Sequence, residues 1–279
     1  MRYDVPLVRT ISDNYLTVEL GDVIDLRDNM RLQGAARLLD TMCLPGVIEV
    51  VPHLRSLALV FESGTNVTLL EGAVREAIAG AERLERVRSR LFRLPVWYDD
   101  PFSDATAKHF GVENNLSYVA RLNRVSVDEA VARHTGGDAW VVAVGFVPGC
   151  FWSVPLDPSL TLSSPKYVQP RDRTPSRTVA LAGITTTIYP YPGPGGYQCI
   201  GRCAVDVYRA PSQPADPMFG EDGVLVRPGD RHRYYSVGPL EYEAIRQEVH
   251  AGTYSYDVIE EDLDVAELFD ATTNSEEDT

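Results

Sequence analysis

The feature that most constrains the fold is a run of proline and glycine at residues 192–196, Pro-Gly-Pro-Gly-Gly. Proline fixes φ and lacks an N–H, and glycine weakens both helices and central strands. We therefore predict a turn that brings backbone N–H groups to the surface. Residues 185–189 before it and 199–208 after it alternate as strands do. This glycine segment, residues 192–196, is interpreted either as a long hairpin turn or as a loop that cradles a ligand.

The second half of the chain has the pattern of an all-β structure. Residues 139–147 predict an apolar strand, and from there to about Val237 short extended stretches are broken by Gly and Pro. Such spacing favours a closed or nearly closed β-barrel. Two short helices are predicted before it, at 115–124 and 127–134. Ser126 and Glu129 have the spacing of a capping box at the start of the second.

The first ninety residues mix the periods of helices and strands. We predict strands at 15–20, 45–51 and 57–61 and helices at 30–42 and 68–90. This order indicates a small α+β sandwich with helices on one side of an antiparallel sheet. The end of the second predicted helix is basic and is interpreted either as a solvated face or as a docking surface for a partner subunit. Its arginines are Arg83, Arg86, Arg88, Arg90 and Arg93.

The sequence predicts an N-terminal α+β domain at 1–94, a β-barrel domain at 95–250 and an acidic, disordered tail at 251–279. Pro95 disfavours helix at the residue before it, which places the joint at residues 94–98. From Asp257 onward there are ten acidic residues and no Lys or Arg. Such a run is typical of a solvated terminus, and a partner-binding tail is the alternative interpretation.

The bulk properties exclude several classes of function. A formal net charge of −14 argues against binding nucleic acid or an anionic membrane surface. No stretch approaches the ~20 apolar residues that span a bilayer, and the N-terminus has no signal pattern, so a cytoplasmic protein is expected. The four cysteines have neither metal-site spacing nor the density of a disulfide framework. We expect no metal site, and we expect Cys199 and Cys203 to be small buried residues.

Several motifs, in a fixed order, resemble the family of allophanate hydrolase subunit 1, which is also the family of the 5-oxoprolinase B-subunit. The urea carboxylase carboxyltransferase domain, with its subdomains C and D, is similar too. The resemblance covers roughly residues 15 to 250. The motifs lie at residues 94–98, 145–149, 165–167, 170–175, 183 and 192–202. The resemblance implies a small N-terminal α/β domain followed by a cyclophilin-like barrel.

The resemblance implies three alternative functions. The first is a subunit of a biotin-dependent carboxyltransferase that acts on a small amide or urea-type acceptor, which Lys166 and Tyr167 favour. The second is the B-subunit of ATP-dependent 5-oxoprolinase, which the apolar Phe146 favours. The third is a regulatory protein that inhibits a histidine kinase. In the first two cases the chain is inactive alone and acts with a second subunit, and in the first a biotin carboxylase and a carrier are further partners.

The candidate catalytic residues are Arg171, Arg202 and His134. Arginine presents paired donors that suit a carboxylate, carbamate or phosphate. Arg202 closely follows the glycine segment, so an anion seated on that segment is expected to meet its guanidinium. His134 matches a histidine of the family, yet a histidine at a helix C-terminus is favoured without any further role. Candidate binding residues for substrate or biotin are Gly195, Gly196, Tyr197, Gln198, Arg173, Phe146 and Gly149.

Some motifs are absent from the sequence. It has no Gly-x-x-x-x-Gly-Lys-Ser/Thr phosphate loop, no Gly-x-Gly-x-x-Gly fingerprint and no Gly-x-Ser-x-Gly turn. It also has no Met-Lys-Met biotin-attachment site. We therefore expect that any ATP is used elsewhere in the complex, and that biotin arrives as carboxybiotin on a separate carrier.

Overall fold

The computed structural model describes residues 1–83, 85–213 and 216–268. The described residues form two compact units, one of residues 1–88 with 262–268 and one of Ser89–Glu261. The first boundary therefore lies six residues before the predicted 94/95 boundary. Within the predicted tail, Val258–Asp264 forms a strand, whereas residues 269–279 lie outside the described residues. None of the described helices is long and apolar enough to cross a membrane.

The first unit has a four-stranded antiparallel sheet and two helices that share one core. Leu16, Val18 and Leu20 alternate into this core, as the sequence pattern predicts. The side chains of Asp25 and Asn66 cap the two helices by accepting backbone N–H groups. In the order of the sheet, its strands are β1 (Arg2–Ile11), β2 (Tyr15–Gly21), β4 (Ser56–Phe61) and β3 (Val47–Pro52), and its helices are α1 (Leu26–Met42) and α2 (Val67–Ala81).

The predicted helix at 68–90 is wrong beyond its first part. Helix α2 ends at Ala81, and β5 (Arg86–Tyr98) is a 13-residue strand. In the first part of β5, arginines face outward at every second position, while Val87, Ser89 and Leu91 are buried, which is the period of a strand. The basic residues from Arg86 therefore do not form a helix face, and the predicted joint at 94–98 lies inside this strand.

The second unit is built on a closed seven-stranded barrel, which confirms the predicted barrel fold. Strands β12 (Gln198–Cys203) and β5 pair directly, Gly201 opposite Tyr98, and so close the sheet. Only β13 and β5 run parallel among the described barrel pairs. Around the barrel the strands are β12 (Gln198–Cys203), β9 (Thr178–Ala182), β10 (Thr185–Ile188), β7 (Phe151–Pro155), β6 (Ala139–Val144), β13 (Arg231–Ser236) and β5, with β14 (Val258–Asp264) added beside β5.

Helices of the second unit pack on this barrel. The predicted cap of the third is confirmed, since Ser126 Oγ accepts the Glu129 N–H at 3.1 Å. The first was not predicted; Asp100 caps it by accepting the N–H groups of Phe102 and Ser103. The helices are α3 (Pro101–His109), α4 (Asn115–Leu122), α5 (Val127–Thr135) and α6 (Pro239–Ala251).

The glycine segment is not the unpaired turn that the sequence predicts. Its residues Gly193–Gly195 form β11, which pairs with β8 (Arg171–Thr174) in a separate two-stranded antiparallel sheet. Gly193 lies opposite Thr174 and Gly195 opposite Arg171, with an irregular register between them. Strand β8 supplies the backbone groups with which the glycine segment pairs, and the composition of the segment alone cannot reveal such a partner. This pairing brings the two most distinctive motifs of the sequence side by side.

Candidate functional site

The glycine segment and its neighbours border a cavity of about 290 Å³ in the second unit. Cys150 and Thr187 contribute from the barrel, and Lys166 and Tyr167 from an irregular stretch before β8. Aromatic side chains form much of its wall, as in many small-molecule sites. The lining residues are Phe146, Cys150, Trp152, Lys166, Tyr167, Pro170, Thr187, Tyr189, Pro194, Gly195, Gly196 and Tyr197.

Arg171 lies directly behind this wall and is fully buried. Its Nε donates to Thr174 Oγ1 at 3.2 Å, and its guanidinium carbon lies 4.5 Å from the centre of the Tyr167 ring. Both Nη atoms are buried without a hydrogen-bond partner, and none of the described carboxylates forms an ion pair with Arg171. A buried cation without a counter-charge is costly to keep. Such a group is a functional candidate rather than a stabilising one.

The Tyr167 ring lines the cavity and contacts this guanidinium, and a hydrogen-bond network fixes the ring in place. Its hydroxyl donates to Asn115 Oδ1 at 2.8 Å, and the same oxygen accepts the Cys199 N–H at 2.8 Å. Its backbone N–H donates to Gly196 O at 2.7 Å. Burial raises the pKa of Tyr167. Asn115 was not predicted as a site residue, because a single asparagine at a helix start carries no signal beyond capping.

Gly195 is placed where only a hydrogen fits. A Cβ at this position would come within 2.8 Å of Thr174 Oγ1 and far inside contact distance of Tyr189 Oη. At Gly196 the nearest atom would be Lys166 Cβ at 3.6 Å, an ordinary contact. The glycine at 195 therefore allows the segment to approach Tyr189, whose pKa burial raises to about 12, so the hydroxyl stays a donor.

Other predicted binding residues have distinct places. Tyr197 lines the cavity, where its hydroxyl lies 3.1 Å from Thr185 Oγ1. Gln198 does not line the cavity and instead donates through Nε2 to Pro165 O at 2.9 Å, which holds the preceding loop. Phe146 is 63% exposed at the mouth of the cavity. Gly149, at φ 77°, packs on Tyr208 outside the lining.

Two further predicted arginines, like Arg171, do not line the cavity. Arg173 is exposed on β8. The Arg202 guanidinium carbon lies 4.3 Å from the centre of the Phe102 ring of α3, and its Nε is buried without a partner. Burial raises the pKa of nearby Asp100, a shift that the charge of Arg202 opposes. The glycine segment borders the cavity, whereas Arg202 packs on α3. The described residues therefore do not form the expected anion site shared by the segment and Arg202.

His134 lies in a hydrogen-bonded core network rather than at the cavity. Its Nδ1 is 2.6 Å from Tyr98 Oη and its Nε2 is 3.0 Å from Thr186 Oγ1. Burial lowers the pKa of His134 to about 3, so the ring is neutral. The next residue of β10, Thr187, lines the cavity, which means that the strand lies between His134 and the cavity.

We predict that the two buried imidazoles make the fold acid-sensitive. Burial lowers the pKa of His134 and of the fully buried His232 to about 3, below the unfolded value of about 6.5. As pH falls from 6.5 toward 3, only the unfolded chain binds these protons. Between pH 7 and 5.5 the free energy of unfolding should therefore drop by about 1 kcal/mol per imidazole. Urea denaturation at both values measures the drop.

His232→Gln is the informative variant for this pH effect. It should reduce the pH-dependent change by about 1 kcal/mol, the contribution of one imidazole, while the exposed His109→Gln should keep all of it. Equal pH dependence in the wild type and in His232→Gln would contradict the assignment to the buried ring.

The comparisons with known proteins agree with this fold. The family model described as "Carboxyltransferase domain, subdomain C and D" matches residues 6–218. The chain therefore belongs to that family, as the resemblance of its motifs implies.

The chain is similar to the 5-oxoprolinase B-subunit of Bacillus subtilis, with 25% identity over 86% of this chain and 97% of that protein. It is 24% identical to "Urea amidolyase" of Saccharomyces cerevisiae over 90% of this chain but only 14% of the relative. The crystal structure of K. lactis urea amidolyase superposes with a TM-score of 0.83 at 23% identity, over 97% of this chain and 17% of the other. The last comparison shows the fold alone.

Proposed function

We propose that this chain is a subunit of a biotin-dependent carboxyltransferase of the urea carboxylase type, and that its cavity receives a small amide or urea-type acceptor. The observation that carries the proposal is the buried Arg171 guanidinium, whose Nη atoms have no partner behind the cavity wall. A fixed positive charge in a dry wall stabilises negative charge that develops nearby. Transfer of a carboxyl group creates such charge.

The residues in and behind the cavity wall have the chemical character needed to bind a carboxylated ureido ring. The rings of Trp152 and Tyr197 offer flat faces in the cavity. Lys166, whose Nζ lies 5.4 Å from the centre of the Tyr197 ring, and Arg171 behind the wall complement a carboxyl group. Carboxybiotin, when bound, supplies the activated carboxyl group. The chain itself orients the acceptor, holds the protonated Tyr189 hydroxyl as a donor, and stabilises the anion.

The surroundings of the cavity favour a complex. Phe146 and Val168 are exposed apolar side chains, Phe146 in the lining and Val168 one residue after Tyr167. Exposed apolar groups at a site mouth are typical of surfaces that a partner covers. We infer that a second carboxyltransferase subunit covers the mouth, that the isolated chain is inactive, and that ATP is used elsewhere in the complex together with a biotin carboxylase and its carrier.

A second candidate is the B-subunit of ATP-dependent 5-oxoprolinase. Two observations favour it: the chain spans 97% of the Bacillus subtilis protein of that name, and Phe146 makes the mouth apolar. An apolar mouth suits a cyclic amide better than urea. The relatives reported above are named as enzymes or enzyme subunits, so the regulatory alternative is not carried further.

The proposal predicts biotin-dependent turnover. The chain is purified with the proteins encoded beside it, and phosphate release from ATP is measured with urea, 5-oxoproline and related amides, with and without biotin carrier. Turnover that requires the carrier is expected, and the active amide identifies the acceptor. Carrier-independent turnover of 5-oxoproline would favour the 5-oxoprolinase B-subunit over the carboxyltransferase subunit. The absence of turnover with every amide would overturn both candidates.

A further inference from the structure

A second, larger depression of the second unit is basic. It has a volume of about 1040 Å³ and is open to solvent, and three arginines and a histidine face it together with one aspartate. We call it the basic groove; it is defined by Arg177, Arg209, Arg246, His250 and Asp206. The whole chain has 40 acidic and only 26 basic residues, so this excess of positive charge is unusual for the protein.

Among the described residues, one acidic partner in the groove is shared by two of its arginines. Asp206 is shared, with one oxygen 3.5 Å from Arg177 Nη1 and 3.2 Å from Arg246 Nη1. Arg209 pairs with Asp216 at 3.4 Å. One carboxylate between two guanidiniums leaves positive charge and planar donors available, which is how arginine binds further carboxylates. The Nε of Arg177 is buried and has no hydrogen-bond partner among the residues that the structure describes.

Arg177 is held in position by its backbone. It has φ 61°, in the left-handed region that non-glycine residues adopt at a cost. Its N–H donates to Tyr189 O at 2.6 Å, and its carbonyl accepts the Cys203 N–H at 2.8 Å. Two strand ends therefore fix this unfavourable conformation and direct the side chain into the groove. Strained backbone of this kind is concentrated at functional sites.

The groove also carries aromatic surface and is distinct from the cavity. Tyr191 and Tyr208 both line it, with ring centres 5.9 Å apart. Tyrosine and arginine together are typical of surfaces that bind proteins tightly. Pro190 and Pro192 line the groove, whereas Pro194 and the following residues line the cavity. A ligand in the groove would therefore bind in addition to the acceptor that is proposed for the cavity.

We propose that the basic groove binds an acidic peptide segment of a partner protein. Its open form suits an extended chain better than an enclosed small molecule, and its guanidiniums come from separate elements, so they match carboxylates spaced along a peptide. The tyrosine rings pack on the peptide between these charges. The inference needs no activity of the cavity, so it stands independently of the proposed reaction.

The test uses fluorescein-labelled octaglutamate and the full chain, with binding followed by fluorescence anisotropy at low and at high salt. Saturable binding that weakens with salt is expected. Arg246→Gln should raise the dissociation constant by about tenfold, the effect of one lost charge-assisted hydrogen bond. Asp206→Asn should have the opposite effect and tighten binding severalfold, because it releases two guanidiniums from their shared carboxylate.

Arg121→Gln is the matched control, since Arg121 is an exposed arginine of α4 outside the groove. It should bind octaglutamate as the wild type does. Circular dichroism on each variant checks that the fold is kept, and Asp206→Asn, which must gain affinity, cannot be explained by unfolding. No saturable binding to the wild type, equal effects of Arg246→Gln and Arg121→Gln, or binding of tripolyphosphate but not of octaglutamate would overturn the proposal.

Discussion

Replacing Arg171 by methionine is expected to stabilise the isolated chain and at the same time to abolish turnover of the complex. Methionine fills much of the volume without a buried, unpaired charge, and even buried ion pairs can be replaced by apolar residues at no cost or with a gain of ~1–4 kcal/mol. Loss of the positive charge behind the cavity should lower turnover by about 100-fold or more. Urea denaturation of the chain and phosphate release by the complex measure the two effects.

A gain in stability together with a loss of turnover would distinguish a functional from a structural role of Arg171. If the guanidinium stabilised the fold, the same substitution would lower the free energy of unfolding, and any loss of turnover would follow from that. Arg121→Met provides the control, because this side chain is 62% exposed and lies outside the cavity. Normal turnover in a stabilised Arg171→Met complex would exclude the proposed electrostatic role.

Adding a single methyl group at Gly195 is expected to be strongly destabilising. In Gly195→Ala the new Cβ would overlap the hydroxyl of Tyr189, whose rigid ring is only 5% exposed. Overpacking of this kind costs about 1–3 kcal/mol, and β11 would be pushed away from Tyr189. The midpoint of urea denaturation should fall accordingly.

The neighbouring glycine supplies a matched comparison for stability. Gly196→Ala adds the same methyl group one residue further on, at 3.6 Å from Lys166 Cβ, where there is space. Its free energy of unfolding should stay within about 0.5 kcal/mol of the wild type. Equal destabilisation by the two substitutions would mean that the effect reflects loss of glycine flexibility, not the close approach to Tyr189.

Local sequence patterns predicted much of this fold. Alternation in 15–20, the apolar run 57–61 and the cap at Ser126 were sufficient, because those elements follow local rules. The helix predicted through 82–90 was wrong. Over a few residues, a strand in which arginines alternate with apolar residues can also match the period of a helix. The pairing of β11 with β8 could not be predicted, because it joins segments some twenty residues apart.

The candidate site was predicted only in part. The glycine segment, Tyr197 and Phe146 do line one cavity, and Arg171 lies behind it. Arg202 is close to the segment along the chain but stacks on α3, since β12 turns its side chain toward the helix. The network through Asn115 depends on distances in space that a single sequence does not contain.

The separate β8–β11 sheet has a consequence for how members of such a family can diverge. The barrel closes through β12 and β5 without it, so the ladder that holds the fold does not include the part of the cavity wall that Pro194 and Gly195 form. Substitutions in β11 can therefore reshape this part of the cavity while the barrel keeps its hydrogen bonds. New acceptor preferences can arise by exchanging this small insert on an unchanged scaffold.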